Sequence, residues 1–425
     1  MFSMHPLVIV GAGPVGLTLA YALATKHPQQ SIVVVEAAAE VAIGATSRSY
    51  PLYLSPRSLG QFARLGITLS NERSWKNCGI VRGGRPVALV ESTALARGSL
   101  IQELLDACCK CPNIRFMFGK PVATVEDRND GSAGLHLADG TILDAQFVFD
   151  TSGCRSVLRV AAEVAGAVQH ATPSDPSNYW VKILRFENVP TSTGYDDKYI
   201  HSIRNKVFTG RLQKWGATGM VLVVDLYTPP GAPTLTDLTT FDEFAAAVLR
   251  GAPELAPYLV REEALPDTVV ATEYWLTNYV WGRHVAFLGD AAHATNPVLG
   301  QGVNAGLHDV AVFLECWADE RVSLADAAVA YSARQVPEGE ALVQLSNTLS
   351  SMVRKFPFMM VTMSVLRKAF PFWLHELPSS RLYTDDRVTY AEAWHTWHQE
   401  TTLVKWIGAA GAAAAAGFLV HRLVK

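Results

Sequence analysis

The chain has 425 residues, of which 49% are hydrophobic and 18% are charged, and its formal net charge is −3. This length exceeds that of one ordinary domain, and the near-neutral charge argues against nucleic acid as a partner. The six cysteines form neither a secreted disulfide framework nor a spaced metal-binding pattern, so we expect reduced thiols and no metal site.

The beginning of the chain follows a strand–turn–helix–strand pattern. Residues 7–10 are a short apolar run typical of a buried parallel strand, and residues 14–24 carry apolar side chains at helical spacing. Residues 31–36 form a second apolar strand. The pattern therefore predicts a βαβ unit. Further on, we expect a helix over 97–110, a strand over 114–119, and an antiparallel sheet built from 123–127, 135–140 and 142–150.

The α/β pattern is lost in the middle of the chain. Strands are predicted over 179–186 and 219–227, with one helix over 241–251, which indicates a β-rich substrate domain. A buried parallel strand returns at 284–289, and beyond residue 324 the sequence is mostly helical.

A glycine-rich turn joins the first strand to the first helix. In a GxGxxG turn the first glycine allows the tight turn and the second lets the backbone approach a pyrophosphate. The third glycine permits close packing of helix and strand, and the helix N-terminus attracts the anion. A carboxylate at the end of the second strand can accept hydrogen bonds from an adenosine ribose. Against the alternative of a turn without a ligand, we predict a dinucleotide site formed by Gly11, Gly13, Pro14, Val15, Gly16 and Glu36.

A second motif covers residues 289–304 and reads GDAAHATNPVLGQGVN. A buried strand ends at Asp290, which can bind a ribitol chain, and a glycine-rich turn opens onto a helix. The N-terminus of that helix can face the pyrimidine edge of a flavin, where reduction leaves negative charge. His293 suits a structural hydrogen bond as well as a direct role. The predicted flavin contacts are Asp290, Pro297, Gly300, Gly302, Val303 and Asn304.

With these motifs the chain resembles the single-component FAD aromatic hydroxylases, and within them kynurenine 3-monooxygenase. The spacing GDAAH-x6-GQG-x-N carries the resemblance, together with residues 47–67 and 377–400. The resemblance implies FAD contacts from Arg48, from Arg97 and from the backbone at Val122. It also implies that Tyr383 is a tyrosine of the substrate pocket.

The activity implied by the resemblance is that of an FAD-dependent monooxygenase. Such an enzyme hydroxylates a small aromatic, kynurenine-like substrate or a lipophilic one. NAD(P)H reduces the FAD, and O2 reacts at the flavin to give a hydroperoxide that transfers one oxygen atom. FAD is then the cofactor, and the partners are the small-molecule substrate, NAD(P)H and O2.

Three places depart from that family's pattern. Ser152 stands where the family carries the acid of an Asp-Gly pair, with Asp150 two residues away, which leaves reduction by the nicotinamide open. The hairpin before Arg97 is short and lacks a second substrate tyrosine. Its Arg82 or Arg85 can bind a substrate carboxylate, or both can be solvated charges. The family's pocket asparagine falls two positions from Asn347.

Two other functions stay open at this point. The short hairpin and the apolar residues 356–372 favour a membrane-bound FAD epoxidase, or a double-bond reductase, that acts on an isoprenoid-like substrate. Ser152 permits a flavin-binding protein with impaired turnover.

The expected fold is α/β, of the FAD-hydroxylase type: a Rossmann-like FAD domain with an inserted β-rich substrate domain, a helical C-terminal region and a C-terminal membrane helix. The segments we assign are 1–60, 97–170 and 276–322 for the FAD-binding domain, 61–96 and 171–275 for the substrate domain, 323–402 for the helical region, and 403–425 for the membrane anchor.

The anchor is predicted from an uncharged run, residues 407–420, between Trp406 and His421. A helix of that run is about 21 Å long, short of the roughly 30 Å hydrocarbon core. Extension over 403–424, with Lys405 and Arg422 snorkelling, reaches a spanning length. The alternative is a buried Ala-rich helix or a flexible end. We expect membrane association with the catalytic domain facing the cytosol, at the mitochondrial outer membrane or the endoplasmic reticulum.

Overall fold

The structure is a computed structural model. It describes residues 5–40, 50–88, 91–128, 131–176, 180–226, 235–319, 321–355, 363, 365–367 and 374–404.

A six-stranded sheet forms the centre of the α/β part. Its strands, in spatial order, are Val280–Trp281, Val285–Phe287, Phe147–Asp150, Leu7–Val10, Ile32–Val35 and Ile114–Met117. All neighbours are parallel except the first pair. The two N-terminal strands are buried along their whole length, as expected of apolar strands in a parallel sheet covered on both faces. The predicted βαβ unit is confirmed.

One strand differs from the sequence prediction. Phe147–Asp150 was expected in the antiparallel sheet, but it pairs in parallel between Leu7–Val10 and Val285–Phe287. The reason is its burial: all four residues are buried, so this run suits a sheet covered on both faces. The antiparallel sheet consists of Val122–Asp127, Ala133–Leu137 and Ile142–Ala145.

A seven-stranded sheet forms a second layer. Its strands, in spatial order, are Val269–Val270, Trp180–Glu187, Gly219–Asp225, Thr209–Trp215, Ile200–Arg204, Ile80–Arg82 and Arg85–Ala88. One face of this sheet buries apolar side chains against the helix Phe241–Leu249. Thr240 and Glu243 close the N-terminus of that helix with a capping box.

Two small sheets connect these layers. One contains Pro51–Leu54, Ser92–Ala96 and Ser74–Asn77, and the other contains His170–Ala171, Tyr274–Leu276 and His293–Ala294. The division of the chain into domains stays a prediction.

Helices cover the parallel sheet and make up the later part of the chain. They span Pro14–Lys26, Pro56–Arg64, Arg97–Cys108, Val157–Val164, Phe241–Leu249, Gly302–Cys316, Leu324–Lys355 and Pro378–Thr384, and residues 390–404 are also helical. The α/β class is thus confirmed. Among the residues described, we find no helix with both the length and the apolar character to cross a membrane. The predicted anchor lies outside the described residues from Lys405 onward.

Candidate flavin and substrate site

The first glycine-rich turn has the shape that a bound dinucleotide requires. Gly11 has a φ of +102°, and a Cβ there would lie 2.8 Å from the carbonyl oxygen of Thr151. A Cβ on Gly16 would lie 2.1 Å from the carbonyl oxygen of Gly11, so helix and strand approach too closely for a side chain. A Cβ on Gly13 would meet nothing within 4 Å. Protein packing therefore requires glycine at positions 11 and 16. Gly13 has no such packing contact, so its backbone stays open for a pyrophosphate to approach.

Glu36 is fixed beside this turn. Its two carboxylate oxygens accept hydrogen bonds from the backbone N–H groups of Ala12, at 2.8 Å, and Ala38, at 2.9 Å. A carboxylate oxygen has two lone pairs, so each oxygen can also accept a bond from a ribose hydroxyl. The position thus fits the adenosine end of FAD.

The two motifs pack directly against each other through Val15. A Cβ on Gly289, where φ is +63°, would lie 3.1 Å from Cγ2 of Val15. A Cβ on Gly306 would lie 2.5 Å from the same methyl group. The valine side chain therefore fills the space that these two glycines leave. Val15 was predicted to contact the cofactor, and its side chain joins the two halves of the candidate flavin site.

A buried ion pair supports the turn that carries Asp290. Asp309 accepts a hydrogen bond from the backbone N–H of Gly289 at 2.7 Å, and it lies 2.7 Å from Nε2 of His293. Burial alone would lower the pKa of His293, but the charge of Asp309, the hydrogen bond to it and the charge of Asp290 together outweigh burial, and the pKa is raised. His293 therefore has a structural role. The Asp290 carboxyl opens onto a cavity, and desolvation by the surrounding protein raises its pKa.

Asn304 ties the second motif to a neighbouring strand and helix. Its amide oxygen accepts hydrogen bonds from the backbone N–H of Ser55 and the hydroxyl of Ser58, both at 2.8 Å. Its amide nitrogen donates to the carbonyl oxygens of Tyr53 and Gly300. A carboxamide has two donors and two acceptor lone pairs, so protein partners use all of them. Its side chain thus positions Gly300 and the strand Pro51–Leu54, and the predicted cofactor contact of Asn304 stays a prediction.

A cavity of about 470 Å³ lies between the second motif and the seven-stranded sheet. It brings together seven of the residues predicted from the sequence: Arg97, Asp290, Pro297, Gly300, Gly302, Val303 and Tyr383. Residues from the strand Pro51–Leu54 and from the strand Thr209–Trp215 are also part of its walls. Flavin-facing and substrate-facing positions therefore share one cavity.

Tyr383 comes from the helix Pro378–Thr384. Its hydroxyl donates to the carbonyl oxygen of Gly300 at 2.9 Å, with the carbonyl oxygen of Tyr53 at 3.3 Å. Burial raises its pKa, so it stays protonated. Tyr383 thus contributes to the cavity wall while its hydroxyl holds the glycine turn.

The cavity wall also includes residues that were not predicted, among them Tyr50, Tyr53, Arg211 and Gln213. The hydroxyl of Tyr53 donates to Oε1 of Gln213 at 2.7 Å. Arg211 lies 3.5 Å from the carboxylate of Asp225. A signal was present, because polar and apolar residues alternate through Arg211, Leu212 and Gln213, as in a strand with one polar face.

Four further predicted residues that the structure describes do not line this cavity: Arg82, Arg85, Val122 and Asn347. Arg82 and Arg85 are exposed on a hairpin at the edge of the seven-stranded sheet and do not line the cavity. Asn347 is buried and donates to the carbonyl oxygen of Asp175, at 3.0 Å, and to the carboxylate of Glu273. Val122 begins the strand Val122–Asp127 at a half-buried position. Arg48 lies outside the described residues.

Asp150 stabilises, through hydrogen bonds, the loop in which Ser152 stands at the position of the family's acidic residue. This carboxylate is fully buried and accepts hydrogen bonds from the backbone N–H and the hydroxyl of Ser152, at 3.0 and 2.6 Å. It also accepts from the hydroxyl of Ser156, which caps the helix Val157–Val164. Asp150 therefore fixes the loop and does not present a carboxylate at its surface.

Comparison with known proteins identifies the family. The family model described as "FAD binding domain" matches residues 4–318. The chain belongs to this FAD-binding family. A 3-amino-4-hydroxybenzoate 2-monooxygenase of Streptomyces cremeus is 29% identical over 341 residues, which are 73% of this chain and 78% of the relative. A kynurenine 3-monooxygenase of Drosophila willistoni is 24% identical over 338 residues, 72% of this chain and 70% of the relative.

Solved structures agree with this assignment at the level of the fold. P. aeruginosa PqsL in complex with 2-aminobenzoylacetate aligns with a TM-score of 0.62 and 18% identity, covering 83% of this chain and 97% of that chain. The tetrameric form of 2-methyl-3-hydroxypyridine-5-carboxylic acid oxygenase aligns with a TM-score of 0.67 and 17% identity, covering 92% and 100%. The predicted FAD-hydroxylase fold, the FAD cofactor and the resemblance to this class of monooxygenases are confirmed.

Proposed function

We propose that the chain is an FAD-dependent monooxygenase that uses NAD(P)H and O2 to hydroxylate a small aromatic substrate bound in the 470 Å³ cavity. One observation carries the proposal: Asp290, Gly300 and Val303 of the second motif line the same cavity as Tyr50, Tyr53 and Tyr383. A substrate ring among these tyrosines lies next to the predicted flavin contacts. The names of the relatives, which include a hydroxybenzoate and a kynurenine monooxygenase, support an aromatic substrate.

Bound FAD supplies the electron transfer from the nicotinamide and the reaction with O2. The protein supplies binding and geometry. The backbone at Gly13 and the carboxylate of Glu36 would hold the dinucleotide end, while Asp290 and the start of the helix Gly302–Cys316 would hold the ribitol and ring end. Aromatic and aliphatic walls would orient the substrate and exclude water from the part of the cavity where FAD would supply its oxygen chemistry.

Oxygen uptake tests the proposal directly. The purified full chain should contain FAD and should oxidise NADPH or NADH in the presence of an aromatic substrate such as kynurenine or 3-amino-4-hydroxybenzoate. O2 uptake should match formation of a product heavier by one oxygen atom. Nicotinamide oxidation with a reduced organic product and no O2 uptake would identify a reductase instead. Failure of bound flavin to bleach with either nicotinamide would indicate a protein with impaired turnover.

A membrane location is a separate proposal. Its support is the uncharged run 407–420 with Trp406 and Arg422 at its two ends. We expect the full chain to float with liposomes in a density gradient and a chain ending at residue 402 to stay at the bottom. Equal flotation of both chains would refute the anchor. Expression of a tagged full chain in cells, followed by fractionation, would distinguish mitochondrial outer membrane from endoplasmic reticulum.

A further inference from the structure

Five consecutive residues, 296–300, line the cavity, and we call them the wall segment. Two of them, Pro297 and Gly300, are predicted flavin contacts. Between these two, the side chain of Val298 packs against Val223 of the seven-stranded sheet. The wall segment therefore joins the flavin side of the cavity to its substrate side, and a shift of the segment would change the distance between them.

The two ends of the wall segment are held by different groups. At the far end, the carbonyl oxygen of Gly300 accepts hydrogen bonds from the hydroxyl of Tyr383 and the amide of Asn304. At the near end, Asn296 is fully buried. Its amide oxygen accepts from the backbone N–H of Val298 at 3.0 Å. The near end therefore depends on what fixes the side chain of Asn296.

A buried acidic residue fixes Asn296. The amide nitrogen of Asn296 donates to the carboxylate of Glu273 at 2.5 Å, while the hydroxyl of Ser346 donates to its amide oxygen at 2.7 Å. Glu273 is 6% exposed, and it is not among the described residues that line the cavity. It also accepts from the amide of Asn347 at 3.2 Å. Because each broken bond would leave a buried polar group unpaired, such a network favours one position of the chain.

We propose that Glu273 is a positioning residue for the reaction: through Asn296 it holds Val298, and with it the wall segment, where a bound substrate can meet the flavin side of the cavity. This inference rests on the proposed function. It also gives Asn347 an indirect role, since this side chain acts on the cavity only through Glu273 and Asn296.

An exchange of donor and acceptor tests the inference. Glu273→Gln leaves one acceptor oxygen for the amides of Asn296 and Asn347, and Asn296→Asp sets a second carboxylate against Glu273. The double variant, Glu273→Gln with Asn296→Asp, restores the network with reversed polarity. In it the new carboxylate can accept from the new amide and still accept from the backbone N–H of Val298.

Hydrogen–deuterium exchange follows the wall segment without turnover. Peptides covering residues 295–301 are measured in the FAD-loaded full chain. Each single variant should speed exchange there about tenfold, which corresponds to one lost hydrogen bond, and the double variant should return it to within about threefold of the wild type. Glu273→Asp keeps the charge but shortens the reach, so it is the milder variant if Glu273→Gln does not fold. It should speed exchange in the same peptides.

Ligand binding and product yield measure the effect on the reaction. The probes are benzoate and kynurenine, titrated into the FAD-loaded full chain and followed by the change in flavin absorbance. Each single variant should bind them about three- to tenfold more weakly and should yield less oxygenated product per O2 consumed, by about twofold or more. The double variant should recover both quantities.

Glu400→Gln is the matched control, because Glu400 is buried, pairs with Arg367 and is not among the described residues that line the cavity. It should lower the urea midpoint and leave exchange over 295–301 and ligand affinity unchanged. Wild-type exchange in Glu273→Gln, or in Glu273→Asp, would overturn the inference. So would a double variant that recovers its urea midpoint without recovering exchange and product yield, since Glu273 would then serve stability alone.

The same samples separate this inference from the proposed function. A wild type that yields oxygenated product, with the same yield per O2 in Glu273→Gln, retains the proposed function and loses the inference. A wild type that yields no oxygenated product from any aromatic substrate loses the proposed function. Rescue of exchange in the double variant would then still show that Glu273 positions the wall segment.

Discussion

Asp309 should contribute more to stability than any exposed acidic residue, because it accepts from Gly289 and His293 at a position only 1% exposed. Asp309→Asn preserves the shape of the side chain and one acceptor oxygen but removes the charge opposite His293. Removing one partner of a buried ion pair costs about 3–5 kcal/mol. Since the asparagine oxygen can still accept from Gly289, we expect a loss near the lower limit, about 3 kcal/mol.

The pH dependence follows from the raised pKa of His293. A histidine whose pKa is raised on folding stabilises the protein fully below its unfolded value of 6.5, and this contribution is lost as pH rises through the higher folded value. The difference in stability between wild type and Asp309→Asn should therefore be largest below pH 6.5 and should shrink at alkaline pH.

Urea unfolding of the apoprotein, followed by tryptophan fluorescence between pH 5.5 and 9, measures both effects. Asp242→Asn is the matched control, because Asp242 pairs with Arg261 at the surface, where such pairs contribute about 0–1 kcal/mol. FAD titration of the same samples should show weaker binding in Asp309→Asn alone, since the turn before Asp290 loses its support. A loss no larger than that of the control, or one that does not change with pH, would refute the reasoning.

Three further variants address other parts of the site. Gly16→Ala should prevent folding of the N-terminal turn. Gly13→Ala should leave the unfolding midpoint of the apoprotein unchanged. It should weaken FAD binding about tenfold, or about 1.4 kcal/mol, as measured by flavin fluorescence quenching. Ser152→Asp should not speed flavin reduction in stopped flow and should lower stability by about 1.5–3 kcal/mol, because it sets a second carboxylate against the buried Asp150 and removes a hydrogen bond. Tyr383→Phe should cost about 1 kcal/mol in urea unfolding and leave benzoate affinity within about threefold, because the ring remains; a large loss of affinity would assign the hydroxyl to the substrate.

Sequence patterns predicted the FAD-binding fold and the FAD cofactor. The GxGxxG turn and the GDAAH-x6-GQG-x-N motif bind their ligand through a particular backbone conformation. Only glycine fits that conformation at certain positions, so the spacing of the glycines in the sequence indicates it. Residues Asp290 and Gly300 could accordingly be placed at one cavity from the sequence. Asp309 was missed, since a single buried carboxylate in the helix Gly302–Cys316 has no spacing signature of its own.

The substrate half was harder to predict because it depends on sheet register. Arg211 and Arg82 are both arginines of β-strands, and only the pairing of those strands shows which one faces the cavity. A shift of one residue in the pairing of a strand would move each of its side chains to the other face of the sheet, and the sequence alone does not show the register. Asn347 illustrates a different limit, because a helix position near the site can face a buried carboxylate such as Glu273 instead of the cavity.

The contact of Val15 with Gly289 and Gly306 has a consequence for biosynthesis. These residues are separated by most of the matched family segment, and the strand Phe147–Asp150 must also be in place between Leu7–Val10 and Val285–Phe287. A ribosome makes roughly 5–20 residues per second, so the N-terminal strand waits on the order of tens of seconds for its partners. During that time its apolar edge needs protection from aggregation. Chaperone capacity during synthesis should therefore influence the yield of folded protein.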